Sequence, residues 1–276
     1  SAYVSMILLY LFGGFATHLI GKELNVSKLK QVLLFLLVFC NPMLIGAVLK
    51  QGRIPSFMGL VLFLYFVYFA LYYLHRKIDR KLIIMSLLFF VLLITHQAES
   101  ILTGIFLLGL LIVKENKERF WIVSALFLGF LLSLFWVVPF FKAIIGTNFL
   151  SIGFANWILD FTNYFWTNVA GILISLGLVV VFYFYYQQNK QRRLVLFYSP
   201  MLVLNILFLT RLVVFIPVIK HIYPDPYQDF FLFFLSLFLV QLNYSKLNVW
   251  IRRLVYIGFV LAVIVGVGYN VFKTPY

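Results

Sequence analysis

An acid and an imidazole lie three residues apart in a short polar segment between two apolar runs. His96 and Glu99 belong to the segment 95–100, which separates the runs 82–94 and 101–113. If a helix begins near His96, both side chains lie on one face, where they can hold a divalent metal or serve as a base and its orienting group. A structural role is the alternative, because a helix dipole stabilises a carboxylate in the first turn and an imidazole can satisfy a buried carbonyl.

The lengths of the two flanking runs favour a functional role for this segment. Neither run reaches the roughly 20 residues that an upright helix needs to cross about 30 Å of hydrocarbon. We therefore predict two short helices that turn back at residues 95–100, near or somewhat below one membrane face. Backbone without helical hydrogen bonds is tolerated at that depth only inside protein or beside a watery cavity, and ionisable residues there indicate a functional site.

The composition places the whole chain in a membrane. The 276 residues are 64 % hydrophobic and 11 % charged, with a mean hydropathy of +1.05, whereas soluble domains carry about 25 % charged residues. We predict an all-α polytopic transmembrane bundle that forms a single domain, 1–276. The net charge of +14 does not indicate nucleic-acid binding, because the basic residues lie in short loops. The sequence lacks a Walker loop and an HExxH motif, which argues against ATP-driven transport and zinc proteolysis.

About ten apolar runs predict the spans and their orientation. Their limits are 3–20, 31–49, 57–74, 82–94, 98–113, 120–141, 167–186, 194–210, 229–243 and 251–272. Alternating connections gather most of the 22 Lys and Arg residues on one side, which the positive-inside rule makes cytoplasmic. Both ends of the chain then face outward from the cytoplasmic membrane. Because it begins at Ser1 without a Met, we expect a fragment of a longer protein.

The outer connections carry the remaining candidate residues. Asp160 lies in an aromatic segment, 154–166, that predicts an interfacial helix. Asp225 lies between Pro224 and Pro226 in a Pro-rich loop that leads to Asp229, and helix capping is the alternative role for Asp229. Arg53 and Arg211 each follow or precede an outer span end, where an arginine can reach lipid headgroups or bind a phosphate.

The order of these features resembles one family. A span ends in Asn41-Pro42, an outer turn 51–56 leads into the next span, and a basic inner loop precedes the hairpin with Thr95-His96 at its tip. A Pro-rich outer turn later enters a Phe-rich helix. The arrangement is similar to the polytopic membrane proteins called 6-pyruvoyl-tetrahydropterin-synthase-related. It also resembles the YfhO-like proteins and, more broadly, the GT-C glycosyltransferases.

The resemblance implies sugar transfer from a polyprenyl-phosphate-linked donor on the outer face, with the donor's lipid tail among the helices. Glu99, His96 and Asp160 would be catalytic, and the substrate-binding residues would be Arg53, Arg211, Asp225 and Asp229. A divalent cation, Mg or Mn, would be the cofactor, with unknown ligands. In GT-C enzymes an acid in the first outer loop usually acts as base or metal ligand, and that loop would precede Ser1. The chain also departs from the family at Gln228-Asp229, where such proteins often carry an Arg.

Two other functions remain open at the level of sequence. The chain can be a carrier or flippase for a lipid-linked or small polar substrate, with His96 and Glu99 as a relay within the membrane. It can also be a non-catalytic membrane subunit whose outer polar residues are caps and ion pairs. A single cavity that opens outward and is lined by these acids favours the enzyme, a path open to both faces favours the carrier, and scattered acids with no shared cavity favour the subunit. The sequence does not indicate an oligomeric state.

Overall fold

The computed structural model is helical throughout the part of the chain that it describes, residues 2–41, 44, 53–145, 154–217, 219–250 and 253. Nine α-helices and no strand lie in these residues. The helices are α1 Ala2–Glu23, α2 Lys28–Phe39, α3 Ile54–His75, α4 Leu82–Thr95, α5 Gln97–Val113, α6 Asn116–Ile145, α7 Phe165–Asn189, α8 Arg192–Leu209 and α9 Pro224–Gln241. Short 3-10 helices occupy Phe154–Leu159, Leu212–Phe215, Ile219–His221 and Tyr244–Lys246.

Most of the observed helices match the predicted spans and extend beyond their ends, but α2 ends at Phe39, so the predicted run 31–49 is not one continuous helix. Hydropathy marks the apolar middle of a helix, whereas backbone hydrogen bonding continues into polar residues, so α6 covers Asn116–Ile145 rather than 120–141. The predicted run 251–272 and the second half of 31–49 lie largely outside the described residues. Within the described residues, five helices can cross a membrane by length and composition, namely Val4–Glu23, Ile54–His75, Asn116–Phe140, Thr167–Asn189 and Arg192–Leu209.

Alternate connections meet at one end of the bundle, as the charge pattern predicts. Arg76, at the end of α3, pairs with Glu23 at the end of α1 at 2.6 Å. Lys114 Nζ, at the end of α5, donates to the Arg76 carbonyl at 2.7 Å. Lys30 Nζ, in α2, donates to the Leu242 carbonyl beyond α9 at 3.0 Å. We call this the basic end of the bundle; which side of the membrane it faces stays a prediction.

The predicted hairpin of α4 and α5 is confirmed. The backbone N–H of Ile78, just before α4, donates to Glu118 Oε1 at 3.2 Å, and Glu118 also accepts from Lys114 at the end of α5. The beginning of α4 and the end of α5 therefore lie together at the basic end. Since His96 alone separates the two helices, they run in opposite directions and meet at the far end of the bundle.

An aromatic core holds α3, α5, α8 and α9 together. The ring of Phe63 in α3 contacts Phe106 in α5 and Phe230, Phe233 and Phe234 in α9, with centroids 5.1–6.2 Å apart. Such aromatic contacts add specific edge-on attraction to the burial of large apolar areas. All five rings are buried, so they serve packing between the helices.

A glycine permits close contact between α5 and α8. A Cβ atom on Gly109 would lie 1.8 Å from the Phe197 carbonyl oxygen, which is inside the van der Waals distance. Small residues allow membrane helices to approach closely, because packing rather than water exclusion drives their association. On the outer helices, large apolar side chains such as Leu11, Phe127 and Leu173 are more than half exposed, and they form the surface that lipid chains cover.

The entry to α9 differs from its prediction. We expect Pro224 and Pro226 to force an extended approach and Asp229 to lie in the first turn, but the helix begins at Pro224. Proline is favourable at the start of a helix, because its missing N–H would have no intrahelical acceptor there. Asp225 is therefore the acid of the first turn, and capping by Asp229 is wrong.

Candidate functional site

The break between α4 and α5 is a single residue, His96. Its backbone is extended, with φ −157° and ψ 120°, so it ends α4 and also precedes the first turn of α5. Its carbonyl accepts from the Ser100 hydroxyl at 2.8 Å, and Thr95 Oγ1 donates to Val91 O at 2.6 Å. These polar residues satisfy helix-end groups locally, which leaves the imidazole and the Glu99 carboxylate for other contacts.

His96 and Glu99 contact each other, as their spacing predicts. His96 Nδ1 meets Glu99 Oε2, and the two side chains are 29 % and 8 % exposed. Ser56 in α3 donates its hydroxyl to Glu99 Oε1 at 2.8 Å. The buried carboxylate therefore has one partner on each oxygen, from two different helices. A carboxylate held in this way has a fixed orientation.

Gly59 provides the space for this pair. A Cβ atom at residue 59 would lie 3.2 Å from Glu99 Cγ, Glu99 Cδ and His96 Cβ. Ser56 and Gly59 are both on α3 and three residues apart, so they lie on the same helical face. Neither residue is predicted from the sequence to belong to the site. Two small residues at this spacing in an otherwise apolar helix are the signal that would have indicated a close helix contact.

Asp229 and Glu99 line one small cavity. Its volume is about 10 Å³, and Leu60, Phe63, Leu102, Pro226 and Phe230 complete its walls. A cavity of that size holds about one water molecule. The structure thus brings two of the predicted acids to a shared space between α3, α5 and α9, at the end of the bundle opposite the basic end.

Asp225 and Arg53 form an ion pair beside this cavity. Asp225 Oδ2 contacts Arg53 Nη1, and both side chains are about one third exposed. The Arg53 guanidinium also lies 5.9 Å from the centre of the Tyr223 ring. The predicted substrate residue Arg53 therefore already has a carboxylate partner.

Asp160 is engaged within its own loop. Its Oδ1 accepts from the backbone N–H groups of Thr162 and Asn163 at 3.0 and 2.9 Å, and its Oδ2 accepts from the Asn163 amide at 2.7 Å. These donors, those of Asn163 foremost, hold the pKa of the Asp160 carboxyl below its usual value. The contacts explain a structural role, while the catalytic role of Asp160 stays a prediction. The predicted interfacial helix is a short 3-10 helix, Phe154–Leu159.

Arg211 has a different environment from Arg53. It follows α8 in a left-handed conformation, with φ 67°. Its guanidinium carbon lies 5.4 Å from the centre of the Phe161 ring and 5.9 Å from that of Phe208. Both Nη atoms are buried, and within the described residues neither has a hydrogen-bond partner. Burial lowers the pKa of this guanidinium from its usual value.

The acids do not assemble a metal site in the described part of the chain. No group of three His, Cys, Asp or Glu side chains there is arranged to hold a metal ion, and the Glu99 oxygens already contact Ser56 and His96. Hard divalent cations take oxygen ligands, so Glu99 has to release Ser56 or His96 before its carboxylate can bind one. The expected Mg or Mn cofactor stays a prediction.

The fold and this site define a multi-pass membrane protein with a buried acid–imidazole pair at one end of a helical bundle. The chain belongs to the 6-pyruvoyl-tetrahydropterin synthase related domain family of membrane proteins, whose model matches residues 1–271. The predicted family is therefore confirmed. No curated protein and no solved structure matches the chain.

Proposed function

We propose that this protein is a membrane glycosyltransferase of GT-C type, or a large part of one. It would move a sugar from a polyprenyl-phosphate-linked donor to an acceptor on the outer face of the cytoplasmic membrane. The observation that supports this most is the shared cavity of Glu99 and Asp229, with His96 in contact with Glu99. The enzyme hypothesis predicts a single outward-open cavity lined by the acids. Glu99 and Asp229 share a cavity that is closed in this state, whereas Asp160 and Asp225 have other partners.

In this proposal Glu99 is the general base. Its carboxylate accepts the proton of the acceptor hydroxyl as the acceptor oxygen bonds to the anomeric carbon. The bond between that carbon and the lipid phosphate breaks, and the phosphate leaves with the electron pair. His96 and Ser56, which contact the two Glu99 oxygens, are positioning residues. A well-placed general base contributes about 10²–10⁴ in rate.

The described state is closed to a sugar. A cavity of about 10 Å³ admits one water at most, so α9 has to separate from α3 and α5 before a donor can reach Glu99. The Arg53–Asp225 pair joins the approach to α3 to the first turn of α9. This pair is about one third exposed and therefore contributes only about 0–1 kcal/mol to the closed state.

The decisive experiment measures sugar transfer by the full-length parent, in membranes supplied with labelled polyprenyl-phosphate sugars. We expect Glu99→Gln to reduce transfer at least about 100-fold, because an amide cannot accept the proton. Glu115→Gln is the matched control, since Glu115 is exposed near the basic end. Asp160→Asn tests the second predicted acid, and its loop contacts lead us to expect transfer within about tenfold of wild type.

Each variant is compared at equal folded yield. Transfer by wild type that Glu99→Gln retains would refute this base assignment, and loss in Asp160→Asn alone would move the base to Asp160. If wild type transfers no sugar from any donor, the enzyme proposal fails.

A carrier or flippase is the second candidate, because cavities lie at both ends of the bundle. At the basic end, a cleft of about 370 Å³ is lined by Asn25, Lys30, Tyr185 and Asn189, among others. The aromatic core around Phe63 lies between α3, α5 and α9, which is compatible with an occluded carrier. Substrate uptake into sealed vesicles without sugar transfer would favour this candidate.

A further inference from the structure

Arg211 is a partly buried cation whose two Nη atoms have no acceptor in the described part of the chain. Both of its Nη atoms are inaccessible and make no hydrogen bond there. Other arginines have acceptors: Arg53 contacts Asp225, and Arg76 contacts Glu23. Arg119 donates to Asn116 and to the Ile112 carbonyl. Within the described residues, Arg211 thus differs from these three arginines because its Nη atoms lack a hydrogen-bond acceptor.

The surroundings of Arg211 only partly compensate its charge. Phe161 and Phe208 place two rings within 6 Å of the guanidinium carbon, and cation–π attraction offsets part of the desolvation penalty. The rings supply no acceptor for the N–H groups, however, and a buried charge is costly without one. A planar guanidinium with free N–H groups matches the oxygens of a phosphate in a two-point contact.

The neighbouring surface indicates that the phosphate belongs to a lipid. Leu212 and Phe215, which follow Arg211 in the chain, are 47 % and 77 % exposed, and Phe161 is 42 % exposed. Helix α8, which ends two residues before Arg211, is apolar and long enough to cross a membrane. An anion that reaches this cation therefore passes apolar side chains suited to acyl or prenyl chains.

We propose that Arg211 binds the phosphate of an anionic lipid, with the lipid chains against Leu212 and Phe215. This site is distinct from the carboxylate cluster, because Asp229 faces the Glu99 cavity whereas Tyr227 of the same helix contacts Phe208. The inference does not depend on sugar transfer. It can hold whether the lipid is a bulk phospholipid or a polyprenyl phosphate.

The lipid phosphate reaches Arg211 when the Phe161 ring moves. Phe161 lies beside the exposed residues Thr162 and Asn163, in a loop whose turn depends on Asp160. Removal of this ring therefore opens the guanidinium without taking away its charge. We expect Phe161→Ala to bind the phosphate group at least as tightly as wild type does.

The test measures lipid binding to the purified full chain in neutral detergent by native mass spectrometry. Phosphatidylglycerol and a polyprenyl phosphate are compared with diacylglycerol, which has no phosphate, and with inorganic phosphate. We expect Arg211→Gln to weaken binding of the phosphate lipids at least about tenfold, the effect of a lost charge-assisted contact. The affinity of Arg211→Lys should lie between those of wild type and Arg211→Gln, since lysine keeps the positive charge but loses the planar guanidinium that makes the two-point contact.

Lys220→Gln is the matched control, because Lys220 is a second cation in the same connection between α8 and α9. The proposal is overturned if Arg211→Gln binds as wild type does, or if Lys220→Gln loses as much affinity as Arg211→Gln. Inorganic phosphate that binds as tightly as the lipids would make free phosphate the ligand and would overturn the lipid assignment. If Arg211→Gln fails to fold, the comparison of Arg211→Lys, Phe161→Ala and wild type decides.

Discussion

Three glycines give a graded test of how the Glu99 site is packed. A Cβ on Gly104, within α5, meets nothing within 4 Å. A Cβ on Gly59 lies 3.2 Å from side-chain atoms of His96 and Glu99. A Cβ on Gly109 lies 1.8 Å from a backbone oxygen of α8. The same substitution, Gly→Ala, thus meets empty space, two side chains and a helix backbone in turn.

The expected stabilities follow from two opposing effects. Alanine favours a helix over glycine by about 1 kcal/mol, so Gly104→Ala should stabilise by up to that amount. At Gly59 the added methyl overpacks a tight site, which costs about 1–3 kcal/mol and leaves a net loss of about 0–2 kcal/mol. At Gly109 α5 and α8 have to separate, and the loss should be at least about 3 kcal/mol.

Thermal unfolding in one detergent, followed by tryptophan fluorescence, measures this order. One kcal/mol corresponds to about 2–4 °C for a domain near this size. We expect the unfolding temperature of Gly104→Ala to equal or exceed that of wild type. That of Gly59→Ala should be up to about 8 °C below wild type, and that of Gly109→Ala should be the lowest of the three. Because unfolding of membrane proteins is often irreversible, all scans use one heating rate. A Gly59→Ala protein as stable as Gly104→Ala would refute the packing described around Glu99.

A double-mutant cycle separates the clash with Glu99 from a general effect on α3. Glu99→Asp shortens the side chain by one methylene and withdraws the carboxyl group from residue 59. We expect the loss from Gly59→Ala to be smaller in the Glu99→Asp background by about 0.5 kcal/mol or more, the coupling typical of residues in contact. Glu115→Asp provides the control cycle, in which the two effects should add.

Three further predictions address the hydrogen bond, the loop and the orientation. Ser56→Ala should lower the free energy of unfolding by about 1–2 kcal/mol, because the buried Glu99 carboxylate loses a donor; chemical denaturation of the two proteins measures it. The Asn163 donors hold the pKa of the Asp160 carboxyl below its usual value. The ionised carboxylate therefore stabilises this turn above about pH 4, and the stabilisation is lost as the pH falls through the lowered pKa. Hydrogen exchange of the loop as a function of pH measures this loss, with Asp160→Ala as the control. A single cysteine at Lys117, in a chain without its native cysteine, should react with an impermeant maleimide only from the cytoplasmic side, and labelling of intact cells would contradict the orientation.

The hairpin and its acid–imidazole pair could be predicted because both depend on local sequence. Two short apolar runs define the helices, and a spacing of three residues defines the contact between His96 and Glu99. Ser56 lies 43 residues from Glu99 in the chain, and no local pattern connects them. Their contact depends on α3 and α5 running side by side in the same direction, which only tertiary packing establishes.

The roles of the outer acids could not be predicted from local sequence, because similar residues have different roles in the structure. Asp160, Asp225 and Asp229 all lie in or near outer connections, so the enzyme hypothesis expects them around one cavity. The fold instead gives Asp160 a loop turn, Asp225 an arginine partner and Asp229 the cavity with Glu99. Charge and approximate location do not distinguish these environments, because each depends on which neighbouring helix the side chain meets.

One turn of α9 explains why the two proposed sites can be tested separately. Successive helical residues point about 100° apart, and residues 227–229 contact three different neighbours. Tyr227 packs on Phe208 beside the Arg211 site, Gln228 donates to the Thr167 carbonyl of α7 at 2.8 Å, and Asp229 lines the Glu99 cavity. Fully buried Gln228 fixes the rotation of α9 between the two sites. Stability changes at Gly59 and Arg211 should therefore add within about 0.5 kcal/mol, and a larger coupling would mean that rotation of α9 links lipid binding to the acid pair.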